Sequence, residues 1–289
     1  MPGADPASDS GAAGGLAPAP SRNLALRVAS ALVMAPLALA AAWYGGWAFA
    51  LFWGLAAIAV AWEWIALVSG AGHRLAFSSG ASALAITALV GWRGHPAGAV
   101  LLVGLGAIAA VIFAPRRRRW WIAGGIVYAG GMLLAPVFLR RDPVYGFGAI
   151  VFLFAVVWAT DILAYFGGRT FGGPKLLAAI SPKKTWSGAV CGTLGAIAFG
   201  TAGAAWFGAG DLKAIALVAL VLSIASQSGD LFESWIKRHF GAKDASHLIP
   251  GHGGVMDRLD GFWAAALVGC LIGLSRGGFD DAARGLLVW

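Results

Sequence analysis

Between Ser234 and Asp260 the chain reads SWIKRHFGAKDASHLIPGHGGVMDRLD. This run brings Ser234, Lys237, Arg238, Lys243, Asp244, His247, His252, Asp257, Arg258 and Asp260 into one short window. Acids and bases mixed this densely have a recognisable chemistry. Carboxylates such as Asp230 and Asp257 can hold Mg²⁺, which prefers hard oxygen ligands and often shares them with substrate phosphates. Lysine and arginine neutralise phosphate oxygens. The glycines of His252-Gly253-Gly254 let backbone amides approach an anion closely. The combination suits phosphoryl or nucleotidyl transfer, in which catalysis is mostly positioning and charge neutralisation.

The elements that must position these groups are apolar. The chain is 59% hydrophobic and 12% charged, with a mean hydropathy of +0.77. Apolar runs near twenty residues recur along it, as in a polytopic helical membrane protein. The sequence predicts an all-α integral membrane protein with about nine transmembrane helices, near 24–43, 46–69, 75–92, 96–114, 120–139, 146–168, 187–209, 212–234 and 259–276. Four regions follow: a disordered tail over 1–22, N-terminal membrane helices over 23–140, a C-terminal catalytic membrane region over 141–278, and a short tail over 279–289. The Pro-, Gly- and Ala-rich start has no apolar face to bury. Cys191 and Cys270 fall in different spans with no CxxC spacing, which argues against a disulfide or structural zinc. Trp43, Trp47, Trp92, Trp120, Trp121, Trp186 and Trp235 lie near span ends, where interfacial tryptophans belong.

With the N-terminus on the cytoplasmic side, Arg93, Arg140, Arg141, Lys213, Arg276 and Arg284 fall outside. The other fifteen of the 21 basic residues fall inside, including the Arg116–Arg119 run. The positive-inside rule favours this orientation, in the cell's inner membrane. The net charge of +8 is then topology signal and contact with anionic lipid, with no nucleic-acid partner required. A homodimer stays open.

This topology gathers the polar motifs at one membrane depth. Asp161 is late in the sixth span; Asp230, Glu233 and Ser234 share a face at the end of the eighth; Asp257, Arg258 and Asp260 open the ninth; and Glu63 is near the cytoplasmic end of the second. Buried membrane charge marks function by default. The bland alternatives are packing pairs for Asp161, an interfacial position for Glu63 and a purely topological Arg116–Arg119 run. His73 and His95 read as loop residues, and His239 and His247 are undecided. Gly168–Gly173 has the four-residue gap of a P-loop. However, Pro174 follows it and no Lys-Ser/Thr pair does, so the Walker reading fails.

Ser234, Lys237-Arg238, Lys243-Asp244, His252-Gly253-Gly254, Asp257-Arg258 and Asp260 resemble, at matching spacing, the signature of the phosphatidate cytidylyltransferases, or CDP-diacylglycerol synthases. The resemblance continues through Gln227–Glu233, Asp161, Ala164-Tyr165 and Ser181–Trp186, and so covers roughly the C-terminal half. The N-terminal half matches only as hydrophobic spans, with Glu63 a further match. Ser187 departs from the Glu or Gln that relatives often carry. The resemblance implies that CTP and phosphatidic acid give CDP-diacylglycerol and pyrophosphate within the lipid bilayer, using Mg²⁺, with two ions expected and Mn²⁺ as a substitute. It implies Asp230 and Asp257 as the leading metal ligands, with Asp161 beside them. Lys237, Arg238, Arg258 and Asp260 join the catalytic set. Ser181, Lys183, Lys184, Thr185, Ser234, Lys243, His252, Gly253 and Gly254 are the implied substrate contacts. Two rivals are a sister enzyme acting on an ether-linked or polyprenyl phosphate and an ion-coupled transporter. The charges crowd one membrane face and no inverted repeat is evident, which disfavours the transporter. The DxxDGxxAR pattern of CDP-alcohol phosphotransferases is absent.

Overall fold

The computed structural model describes residues 20–70, 73–249 and 253–289. The helices are α1 (Pro20–Tyr44), α2 (Gly46–Ser69), α3 (Arg74–Trp92), α4 (Pro96–Phe113), α5 (Arg119–Arg140), α6 (Gly146–Phe171), α7 (Trp186–Trp206), α8 (Leu212–His239), α9 (Met256–Gly277) and α10 (Ala282–Leu287). Strands β1 (Lys175–Leu177) and β2 (Ser181–Thr185) form an antiparallel hairpin before α7. Helices dominate because a lipid-embedded backbone must satisfy its own polar groups. Among the described residues, α2 to α9 are eight helices long and apolar enough to cross a membrane, and α1 adds a described apolar stretch at Leu32–Tyr44. The protein is thus an all-α integral membrane protein, and the sequence count of nine is approximate. The expected tail over 1–22 lies outside the described residues up to 19, and α1 already begins at Pro20.

Helix ends follow local chemistry. Gly45, Gly70, Gly172 and Gly278 close helices with φ between 60° and 69°, a region favouring glycine. The Asp211 carboxylate caps α8 by accepting from the backbone N–H of Lys213 (2.9 Å) and Ala214 (3.2 Å).

Two packed groups of helices meet at α9. On one side α2, α3, α4 and α5 pack together, and on the other α6, α7 and α8 do. Phe262 on α9 stacks on Trp53 of α2 (centroids 4.9 Å apart) and also meets Phe154 of α6 (5.1 Å). Trp263 stacks on Tyr128 of α5 at 4.3 Å and donates its indole N–H to the Tyr128 carbonyl at 2.9 Å. Buried indole donors need partners, so this contact fixes the rotation of α9 as well as its depth.

The tryptophans stay near helix ends: Trp43, Trp47, Trp120, Trp186 and Trp235 are exposed, and Trp121 and Trp235 also pack on each other (6.2 Å) and contact His239. One sequence expectation changes: the segment after 279 is more than a tail. Its helix α10 lies against α9 so closely that a Cβ on Gly285 would meet the Gly273 carbonyl, and Arg276 donates to the Gly285 carbonyl and stacks on Trp289. Cys191 and Cys270 are free thiols.

Candidate active site

Small residues make the site. Where α8 crosses α9, a Cβ on Gly229 would lie 2.6 Å from the Asp260 carbonyl, and one on Gly261 would lie 2.6 Å from Ser226 Oγ. This close approach lets the residues after Gly229 face those around Gly261. Glu233, fully buried, lies against Asp260. Across the mouth, Asp161 of α6 is within electrostatic reach of Asp260, Asp230, Lys184 and Arg258. Behind it, Thr160, Thr193, Ser223 and Gln227 form a hydrogen-bonded patch between α6, α7 and α8, with a Thr160–Ser223 contact of 2.9 Å. Satisfied polar groups of this kind hold helices in register inside a bilayer.

Two ion pairs divide the charged side chains. Lys184, on β2, pairs with Asp230, and their side chains are 28% and 32% exposed. Ser234, one turn on, points its hydroxyl at Asp230 from 3.5 Å. The second pair is interior. Lys237 Nζ lies 2.6 Å from Asp257 Oδ1 and 3.2 Å from Glu233 Oε1. The other Asp257 oxygen accepts the backbone N–H of Ala245 (2.9 Å) and Gly254 (2.8 Å). Asp257 therefore ties the loop after α8 to the first turn of α9. Gly253, at φ 85°, leaves the room this requires, since a Cβ there would lie 2.8 Å from Asp257 Oδ2.

The remaining expected residues fall at the same end. Lys183, Lys243, Arg238 and Arg258 are exposed, and Arg238 donates to the Ala242 carbonyl at 3.1 Å. Ser181 lies in the hairpin. Thr185 is buried and caps α7, its hydroxyl accepting from Gly188 N–H at 3.2 Å. Ser187 hydrogen-bonds to Thr185 (3.0 Å) and donates to the Gly172 carbonyl, so its hydroxyl serves the hairpin. His252 lies outside the described residues. Among the described residues, no three His, Cys, Asp or Glu side chains stand together as a ready metal cage.

Glu63 is one of the residues that sequence spacing left undecided. It is fully buried and accepts hydrogen bonds from Ser246 Oγ (2.6 Å), Val255 N–H (2.8 Å) and Met256 N–H (2.7 Å). The available signal was an acid in an otherwise apolar span. Its partner could not be read, because 192 residues separate Glu63 from Val255.

Open to the side, a cavity of about 320 Å³ runs between α8 and α9 from Ser228 and Gly229 past Phe232 and Trp263 to Leu267 and Val268.

The sequence matches the profile described as the cytidylyltransferase family over residues 25–274. It is 44% identical over 256 residues to a phosphatidate cytidylyltransferase of Brucella abortus, covering 87% of this chain and 93% of that protein. It is 37% identical over 258 residues to the phosphatidate cytidylyltransferase of Pseudomonas aeruginosa, covering 83% and 93%. The carboxylates, lysines and arginines gathered at one end of this bundle thus belong to a chain that is a member of the cytidylyltransferase family.

Proposed function

We propose that the protein transfers the cytidylyl group of CTP to phosphatidic acid, giving CDP-diacylglycerol and pyrophosphate. The observation that carries this reading is the convergence of the family's polar motif and the hairpin lysines at one end of the bundle, with an apolar groove between α8 and α9 within the span. A water-soluble nucleotide and a lipid phosphate can meet there while acyl chains stay in the bilayer.

A phosphate monoester is largely ionised near neutral pH, so the lipid oxygen needs no strong base. It forms the new bond to the α-phosphorus as the bond to the β-phosphate oxygen breaks, and pyrophosphate leaves with the electron pair. Lys184, Lys183 and Arg258 neutralise phosphate charge from the mouth, and Arg238 and Lys243 extend the basic surface. Asp257, held by Lys237 and two amides, keeps the first turn of α9 in place. The acyl chains would follow the groove past Phe232 and Leu267.

Asp161 and Asp230 lie within electrostatic reach of each other and offer the hard oxygens Mg²⁺ prefers; the ion commonly uses one or two carboxylates and fills its shell with water and phosphate. Asp230 and Asp161 would hold it, and Mn²⁺ would serve by the same chemistry; Asp257, whose oxygens are taken by Lys237 and two backbone amides, would act through the loop and not as a ligand. When bound, the ion supplies charge neutralisation on the triphosphate. The polar end faces the cytoplasm of the inner membrane in this reading, where CTP is available.

The test is purified protein in detergent with radiolabelled CTP and phosphatidic acid. CDP-lipid should form with Mg²⁺, stop with EDTA and return with Mg²⁺ or Mn²⁺. No labelled lipid under any of these conditions overturns the reading. For sidedness, a single cysteine placed in 241–249 should resist an impermeant maleimide in intact cells and react in inverted vesicles.

A further inference from the structure

The helix that carries Asp257, Arg258 and Asp260 has no cap of its own. Its N-cap position, Val255, makes no side-chain cap hydrogen bond. The first turn of any helix leaves four N–H groups without intrahelical partners, and a carboxylate is the strongest acceptor for them at the positive end. Here that carboxylate comes from another part of the chain. Glu63 takes the N–H groups of Val255 and Met256, one on each oxygen, and the Ser246 hydroxyl as well.

The approach is so close that glycine is required opposite it. A Cβ on Gly254 would lie 2.6 Å from Glu63 Oε1 and 2.8 Å from its Cδ and Oε2. Glu63 and Asp257 grip the same segment from two sides. Asp257 holds Ala245 and Gly254, while Glu63 holds the interleaved Ser246, Val255 and Met256. The base of Glu63 is itself fixed. Its neighbour Trp64 donates to the Trp121 carbonyl at 2.8 Å and packs on Tyr128, with ring centroids 5.0 Å apart.

We propose that Glu63 is a positioning residue for cytidylyl transfer: it caps α9 from the second helix and sets the direction in which Asp257, Arg258 and Asp260 face the substrates. The inference rests on the reading given under Proposed function. It makes the N-terminal helices, which carry almost none of the polar motif, a working part of the site. Small misplacements of reacting groups slow turnover steeply, while ground-state binding through other contacts survives.

The experiment compares wild type with Glu63→Gln, Gly254→Ala and Ser246→Ala, all purified in detergent. Gln keeps the shape but turns one acceptor into a donor facing donors. Glu63→Gln should lower kcat by roughly ten- to a hundredfold, with KM for CTP changed less than about threefold. Gly254→Ala should reproduce that split with Glu63 still present, because it pushes the carboxylate away. Ser246→Ala should cost less, since both backbone bonds remain. In substrate-free protein, trypsin should cut at Lys243 faster in Glu63→Gln than in wild type. A purely structural role predicts a lower melting temperature with normal kcat per folded molecule in every variant; that outcome overturns the proposal, as does unchanged tryptic cutting with unchanged kcat. If wild type forms no CDP-lipid, the functional reading fails, and the trypsin comparison still decides whether Glu63 holds the loop.

Discussion

The two ion pairs, a few residues apart on α8, belong to different worlds. Lys184–Asp230 is about one-third exposed, joins a hairpin to a helix end and has the Ser234 hydroxyl at 3.5 Å and Asp161 within electrostatic reach. Lys237–Asp257 is interior, shared with Glu233 and saturated by backbone amides. The first can open at little cost to the fold and offer both charges to a substrate, because an exposed pair contributes only about 0–1 kcal/mol. The second cannot lose a member without stranding a buried charge, at roughly 3–5 kcal/mol where nothing else compensates. One region is built for exchange and the other for holding geometry.

The sharpest way to break this contrast is to neutralise each acid. Asp257→Asn should reduce activity to below about 1% and also lower thermal stability, since Lys237 and two amides lose their anion. Asp230→Asn should cost comparable activity while the melting temperature shifts by no more than about 4 °C. Equal stability losses in the two variants would erase the distinction.

Lys184→Ala tests the exchangeable pair from its basic side. A charge-assisted contact to a phosphate is worth about 1.5–3 kcal/mol, so kcat/KM should fall roughly ten- to a hundredfold in a CTP titration. Arg238→Lys should fall by less, about threefold to tenfold, if the guanidinium grips phosphate with its fork; a silent variant would make Arg238 an orientation signal only. The smallest effect is expected at the other end of α8. Asp211→Ala removes an exposed cap and should cost about 1 kcal/mol in an unfolding assay, with kcat unchanged.

The sequence by itself determined the helical membrane architecture, because period-free apolar runs near twenty residues have few other uses. It also determined that Asp230, Asp257, Lys237 and Arg258 gather at one end, because alternating span direction fixes depth. Depth is not contact, and tertiary structure alone decided the contacts. Only the crossing at Gly229 and Gly261 shows Glu233 against Asp260. Only the folded hairpin delivers Lys184 to Asp230, since strands of three and five residues carry too little pattern to read. Thr185 and Gly254, expected at the substrate, are seen capping α7 and bonding Asp257. Glu63 shows the limit most plainly. A lone acid in an apolar span announces that a partner exists, but backbone N–H groups 192 residues away leave no mark on side-chain spacing. Their identity emerges only when α2 and α9 pack side by side.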